Sequence, residues 1–427
     1  MLGFEGGNSA CEVDVVFVIH APSPNGVILQ LTLPNPVLSG QPFDLHTLLV
    51  QRISNVNPSI DIAASSDLYA CLQKIATGPE LSKNLSEEES RRAMSLVLDE
   101  AVDEVQAAIF LIALRMKRET DEELRGALHA LLDCSLRVTA DVPDVLDLAD
   151  PFDGYVRSLP AAPFLPAVLA ACGIATVSQG TDSMGPKFGA THCKVLRAGG
   201  VNVDLDPDGA ATQITDPDIG WAYVDQRYTN PALYRLRDLR TRIVKRPCLT
   251  TLEVLLKPIC GTRATHLMTG YVHKPYPPIY SMLAKVSGYT SAMIVRGVEG
   301  GVIASLNQPS RLIRFSDDGE DEEMRLDPAE AGIQSETRAV PLPDQVQMVS
   351  ESAPGRSVIN SDAAAVAAAN AGRQALAGDV GPMRSSLLYS AAQCLVHLGR
   401  AGTLRDGVKI AAEALDSGEA QQRFQTA

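Results

Sequence analysis

The sequence predicts an α/β protein in which a small N-terminal helical domain precedes a larger α/β domain with a central mixed sheet covered by helices. Three observations predict it. Ser86 with Glu89 and Thr120 with Glu123 have capping-box spacing, each ahead of apolar residues that recur at helical intervals. Beyond residue 143, short strand-like runs at 201–205, 266–271 and 292–296 alternate with helical stretches. Between these regions, an almost wholly apolar helix at 161–172, closed by Gly173, leads to an apolar strand at 174–177 and then to loops holding Gly180, Gly185 and Gly189.

Composition limits the classes open to the chain. Its 427 residues suffice for two or three domains, and 45% hydrophobic content is that of an ordinary soluble protein. No apolar run approaches the ~20 residues of a membrane-spanning helix. Glu5, Glu12 and Asp14 precede the first cation, Arg52, which fits neither a secretory signal nor an arginine-rich transit peptide. The reading is a cytoplasmic protein, with a plastid location as the alternative. Eight scattered cysteines without a CxxC, and seven dispersed histidines, describe reduced thiols rather than a zinc site or a disulfide framework. A formal charge of −14 argues against wholesale nucleic-acid binding and leaves room for a local basic pocket.

Taken in order, residues 1–67 form an N-terminal extension, β-like or poorly ordered, with extended runs at 13–20 and 26–33. Residues 68–142 form the helical domain, and 105–116, apolar on nearly every side, reads as its core helix. Residues 143–427 form the α/β domain, with 220–260 packing against the helical domain. Residues 311–315 and 323–326 flank the acidic turn SDDGEDE as a hairpin, 334–360 is a surface loop, and 361–376 and 385–398 return to helix before Gly399. Asp204, Asp206 and Asp208 alternate as in a calcium loop, but residue 215 is Thr where a distal glutamate belongs, so a turn is expected.

The helical segment carries a specific resemblance. Residues 68–132, above all QAAIFLIALRMKRETDEE at 106–123, resemble the N-terminal helical domain of anthranilate phosphoribosyltransferases and the related pyrimidine nucleoside phosphorylases. Residues 240–258 resemble that family's arginine-led helical segment, 291–301 its strand and acidic loop, and GRAGTLRDGVKIAAEALDSGEA at 399–420 its final helix. The resemblance covers roughly residues 68–420. It implies the nucleoside phosphorylase/phosphoribosyltransferase class of fold, with phosphoribosyl pyrophosphate or another phosphorylated small molecule bound at the cleft between the domains. It also implies transfer of a phosphoribosyl group to an aromatic or heterocyclic nitrogen acceptor, and a homodimer formed through the helical domain.

The resemblance places substrate-binding residues at Asp153, Gly154, Ser158, Gly180, Thr181, Ser183, Lys187 and Arg240, and assigns no catalytic residue. The family's first glycine loop, roughly GTGGDG, corresponds here to Asp150, Pro151, Phe152, Asp153 and Gly154, which keeps only the Asp-Gly pair. Its second loop, KHGNR followed by serines, corresponds to residues 178–183; Gly180 and Ser183 fit, both cations are replaced, and Asp182 would repel a phosphate. Lys187 could restore the charge or stand as a solvated loop lysine. The family's adjacent pair of metal-binding carboxylates falls on Val302 and Ile303, leaving Glu299 as the one carboxylate of that loop and Mg²⁺ in doubt. The run RLRDLRTRIVKR at 235–246 offers six cations to one carboxylate; as a helix it would set Arg235, Arg242 and Arg246 near one face. Arg240 matches the arginine that contacts an acceptor carboxylate. The alternatives are a solvated basic helix, a non-catalytic member binding a nucleotide or nucleic acid, and a nucleoside phosphorylase.

Overall fold

The computed structural model describes residues 12–19, 27–34, 62–78, 80–317, 319–346 and 359–427, with 12–19, 27–34 and 62–65 described by their backbone alone. The chain divides into two units, Met1–Ser59 and Ile60–Ala427. In the first, β1 (Glu12–Ile19) and β2 (Val27–Pro34) pair antiparallel, Glu12 opposite Pro34 and Ile19 opposite Val27, so both extended runs are strands.

The second unit begins with four helices: α1 (Ile62–Ile75), α2 (Glu87–Leu98), α3 (Glu104–Lys117) and α4 (Asp121–Asp133). Two of their starts follow from local chemistry. The Ser86 hydroxyl accepts from the Glu89 amide while the Glu89 carboxylate accepts from the Ser86 amide at 3.0 Å, and Thr120 with Glu123 repeats the reciprocal pair. The first helix starts at Ile62, six residues before the expected boundary at 68. The helix expected at 105–116 as the core of its domain is core on one side: α3 buries Ala107, Phe110, Leu111 and Leu114, while Val105, Ile109 and Met116 on its other side are exposed.

The α/β region is built on a seven-stranded sheet in the order β11-β10-β9-β8-β4-β5-β6. Strands β4 (Asp144–Ala149), β5 (Thr176–Gly180), β6 (Trp221–Asp225), β8 (Ala264–Gly270) and β9 (Ser291–Val295) run parallel. β10 (Ser310–Ser316) and β11 (Glu322–Leu326) are antiparallel, which makes the sheet mixed and sets the acidic run at a hairpin tip. A two-stranded parallel pair, β3 (Val138–Thr139) with β7 (Ile259–Cys260), stands apart. All of β5, β6 and β9 is buried, as strands covered on both faces require.

Helices α5 (Leu165–Ala171), α6 (His192–Gly199), α7 (Pro207–Thr215), α8 (Gln226–Thr229), α9 (Pro231–Arg235), α10 (Arg237–Arg242), α11 (Leu249–Leu252) and α12 (Tyr276–Val286) connect the strands. The chain ends in α13 (Ser361–Leu376), α14 (Pro382–His397), α15 (Leu404–Asp416) and α16 (Glu419–Thr426). One core, around Phe164, Trp221 and Phe424, joins the sheet to α5 and the C-terminal helices. The other joins Leu267, Ile294 and Phe315 of the sheet to α1–α4, and Leu233, Leu236, Leu249 and Leu252 belong to that same cluster.

One expected strand is absent. Residues 201–205 form the link from α6 to α7, in which Val201 and Val203 are buried, Asn202 and Asp204 are exposed, and Asp206 caps α7 through the Gly209 amide at 2.8 Å. Their period-2 burial arises from a chain crossing between two helices. The turn expected at the alternating aspartates does not form: Asp204 lies in the link, paired to Arg227, Asp206 caps α7 and Asp208 sits in its first turn. Residues 334–346 hold one short 3₁₀ turn (Asp344–Val346); the rest of the expected loop, apart from its last two residues, lies outside the described residues. Seven of the eight cysteines are described, and all seven are free thiols. No helix among the described residues is long and apolar enough to cross a membrane.

Candidate ligand cleft

Asp150, at the C-terminal end of β4, gathers four elements around one buried carboxylate. One oxygen accepts from the Val302 amide at 2.8 Å; the other accepts from the Tyr155 hydroxyl and faces His192 Nε2, each at 2.8 Å. His192 Nδ1 in turn lies 2.6 Å from the Ser178 hydroxyl in β5. Burial, with Asp150's charge second, pushes the Tyr155 phenol well above its ordinary pKa. This Ser-His-Asp chain reverses the imidazole of a nucleophile triad, with Nδ1 facing the serine and Nε2 the aspartate, and all four side chains are at most 5% exposed, so it clasps the loops together rather than meeting a substrate.

Beside the clasp, Glu299 sits in a tight turn with φ +54°, in the left-handed region that a side chain makes costly. Its carboxylate accepts from the Val156 and Arg157 amides, each at 3.0 Å, and from the Ser158 hydroxyl at 2.8 Å. Asp153, 3% exposed, lies between two cations: Lys187 Nζ at 3.0 Å from one oxygen, and Arg246, whose Nε is 3.2 Å from the other. Lys187 also donates to the Gly154 carbonyl at 2.7 Å.

These residues form one wall of a cavity of about 530 Å³ that opens between the helical region and the carboxyl ends of the parallel strands. Lys245 joins Lys187 and Arg246 there; Tyr271, Tyr276, Tyr280, Val254 and Ile279 form an aromatic and apolar wall. Arg115 donates to the Tyr276 hydroxyl at 2.8 Å, and burial pushes the cavity-lining Glu119 carboxyl above its ordinary range. A larger cavity, about 1,020 Å³, lies at the amino ends of β4, β8 and β9, around His266, Ser291 and His397. The smaller one is the better ligand site, because parallel sheets bind ligands at their carboxyl ends and only it combines a cationic with an aromatic wall.

The structure brings Asp153, Lys187 and Glu299 together at the cavity, with Gly154 and Ser158 bonded directly to them. Gly180, Thr181 and Ser183 are not on its lining; Thr181 is fully buried, and Asp182 is paired with Arg237 at 2.9 Å. Arg240 lies apart from the cavity. Its guanidinium grips Glu253 with two bonds, at 2.7 and 2.9 Å, both side chains are buried, and neither lines the cavity. The single basic helix face is also absent: the segment breaks into α9 and α10, and Arg235, Arg237, Arg240, Arg242 and Arg246 each pair with a carboxylate. The Asp150 network and Glu253's role carried no sequence signal, since both depend on residues far apart in the chain.

The residues present do not fit Mg²⁺. Val302 and Ile303 are buried hydrocarbon, Asp153 is neutralised by two cations, and Glu299 is bonded to Val156, Arg157 and Ser158. Among the described residues no three His, Cys, Asp or Glu side chains are grouped to hold a metal.

Residues 69–135 match the helical bundle domain of a glycosyl transferase family, and 160–421 match that family's a/b domain. The chain belongs to this glycosyl transferase family. Curated members include anthranilate phosphoribosyltransferases of Rhodopseudomonas palustris, 30% identical over 84% of this chain and 96% of the relative, and of Nitrobacter hamburgensis, 28% identical over 84% and 97%. Among solved structures, the anthranilate phosphoribosyltransferase of Thermus thermophilus shares the fold with a TM-score of 0.62 at 19% identity, over 84% of this chain and 97% of that one. The Saccharomyces cerevisiae enzyme in complex with PRPP and Mg has a TM-score of 0.63 at 15% identity, over 84% and 96%.

Proposed function

We propose that this chain is a phosphoribosyltransferase that binds phosphoribosyl pyrophosphate in the cleft and transfers its pentosyl group to an aromatic or heterocyclic nitrogen acceptor. One observation carries the reading: Lys187 and Arg246 share the single carboxylate of Asp153 and face a wall of tyrosines across the cavity. Three cations, Lys187, Lys245 and Arg246, against the two carboxylates of Asp153 and Glu299 leave a net positive wall suited to a diphosphate, and flat phenol rings suit a planar acceptor. In the transfer, the C–O bond to diphosphate breaks with its electron pair leaving on oxygen, the acceptor nitrogen bonds the ribose carbon, and the nitrogen's proton is lost. Lys187 and Arg246 would offset the charge that grows on the leaving diphosphate.

Val302 and Ile303 favour a second reading, a member that binds a phosphorylated ligand without transferring it. Calorimetric titration of phosphoribosyl pyrophosphate with and without Mg²⁺, followed by a pyrophosphate-release assay over a panel of aromatic amines, separates the two. Micromolar binding with release supports transfer; binding without release supports the second reading; no binding in either condition removes both. Lys187→Ala is expected to weaken donor binding at least about tenfold with little change in stability. We further propose a cytoplasmic homodimer that meets through the exposed side of α3.

A further inference from the structure

We infer that Glu299 is the chain's own occupant of an anion site, which a phosphate monoester fills only by displacing it. The Val156 amide, the Arg157 amide and the Ser158 hydroxyl converge on both oxygens of one carboxylate within 2.8–3.0 Å. Consecutive amides aimed at one point, with a hydroxyl beside them, are the donor set that holds phosphate oxygens. A carboxylate brings one charge and two oxygens to them, whereas a phosphate monoester brings up to two charges and three free oxygens.

Vacating the site needs only rotation of the Glu299 side chain. The flanking backbone is fixed, because a Cβ at Gly297 would collide with the Gly301 carbonyl and one at Gly301 with the Tyr155 hydroxyl. Glu299 itself is half-buried and lines the cavity. Lys187, whose Nζ is 3.5 Å from the Glu299 carbonyl, stands where it would meet the incoming anion. The inference rests on reading the cleft as a site for phosphorylated ligands, and inorganic phosphate serves as the probe so that the two can fail separately.

The test is calorimetric titration of inorganic phosphate into wild type, Glu299→Ala, Glu299→Ala/Ser158→Ala and, as a control for net charge, Glu323→Ala on the β10–β11 hairpin, outside the cavity lining. Glu299→Ala is expected to bind phosphate at least about tenfold more tightly than wild type, Ser158→Ala to reverse most of that gain, and Glu323→Ala to leave affinity unchanged. Equal affinity in wild type and Glu299→Ala, or a gain that ignores Ser158, overturns the inference. If Glu299→Ala does not fold, Glu299→Gln replaces it, since its amide nitrogen cannot accept from these donors; a gain of at least about threefold is expected and none overturns the inference. Phosphate binding by Glu299→Ala without binding of phosphoribosyl pyrophosphate would sustain the occupied site and remove the transferase reading. Metal-dependent binding of phosphoribosyl pyrophosphate by wild type, unchanged in Glu299→Ala, would do the reverse.

Discussion

Asp147 lies in the middle of β4 with no solvent exposure, accepting from the Tyr289 hydroxyl at 2.6 Å and from the Gln179 amide at 2.9 Å. Burial pushes its pKa up to about 7, against the opposing pull of those bonds and of Lys257's charge. The sign follows directly. Between pH 4 and 7 the unfolded chain has released this proton while the folded chain keeps it, so stability falls as pH rises through that window, by about 4 kcal/mol when complete. Asp147→Asn removes the dependence. Urea unfolding at pH 5 and pH 8 should show the variant gaining about 3 kcal/mol on wild type between the two; parallel profiles would mean that Asp147 is ionised in the fold. Arg240 and Glu253 make the opposite case, a buried pair complete in itself. Arg240→Ala leaves the Glu253 charge without its counter-ion and should cost about 3–5 kcal/mol, read by thermal or urea unfolding. A loss below about 1 kcal/mol would free Arg240 for the ligand role that the family resemblance gives it.

Among the elements, α2 and α4 show how closely the helical region is packed. A Cβ on Gly126 of α4 would lie 2.1 Å from the Glu87 carbonyl and 2.9 Å from the Arg91 amide, both backbone atoms of α2 that cannot turn aside. Gly126→Ala should therefore force the helices apart at a cost of about 3 kcal/mol, despite alanine's better helix propensity. A change below about 1 kcal/mol in urea unfolding would show that the pair adjusts freely. These two helices were legible in the sequence because Ser86/Glu89 and Thr120/Glu123 act over three residues. The β10–β11 hairpin and the alanine-rich α13 were legible for the same local reason. β4 was not, since Asp144 and Asp147 break its apolar run and Asp150 follows it directly, and only the tertiary partners Arg263, Tyr289 and His192 satisfy these carboxylates. The cleft was half legible: Asp153, Lys187 and Glu299 sit in recognisable loops, whereas Arg246 reaches Asp153 across 93 positions of sequence.

For the whole molecule, the question is what covers α3. Val105 and Met116 are 65% and 76% exposed, and Ile109, one turn after Val105, is 45% exposed. Exposed Tyr69 lies on α1, a helix that packs against α3, and extends the same apolar character. A monomer would leave this face in water, at about 25 cal/mol for each Å² that a partner could remove. In a twofold dimer the same face meets itself, so a single substitution places two like charges against each other. Sedimentation equilibrium should find wild type dimeric and Ile109→Glu monomeric; a monomeric wild type, or a dimeric variant, would assign the face to something else. The consequence reaches the cleft, because α3 also supplies Arg115 and Met116 to its lining. If dimerisation holds α3 in place, Ile109→Glu should weaken phosphoribosyl pyrophosphate binding although residue 109 lies outside the cavity. An unchanged affinity in the monomer would mean that α3 is fixed by its buried side, Phe110, Leu111 and Leu114, without help from a partner.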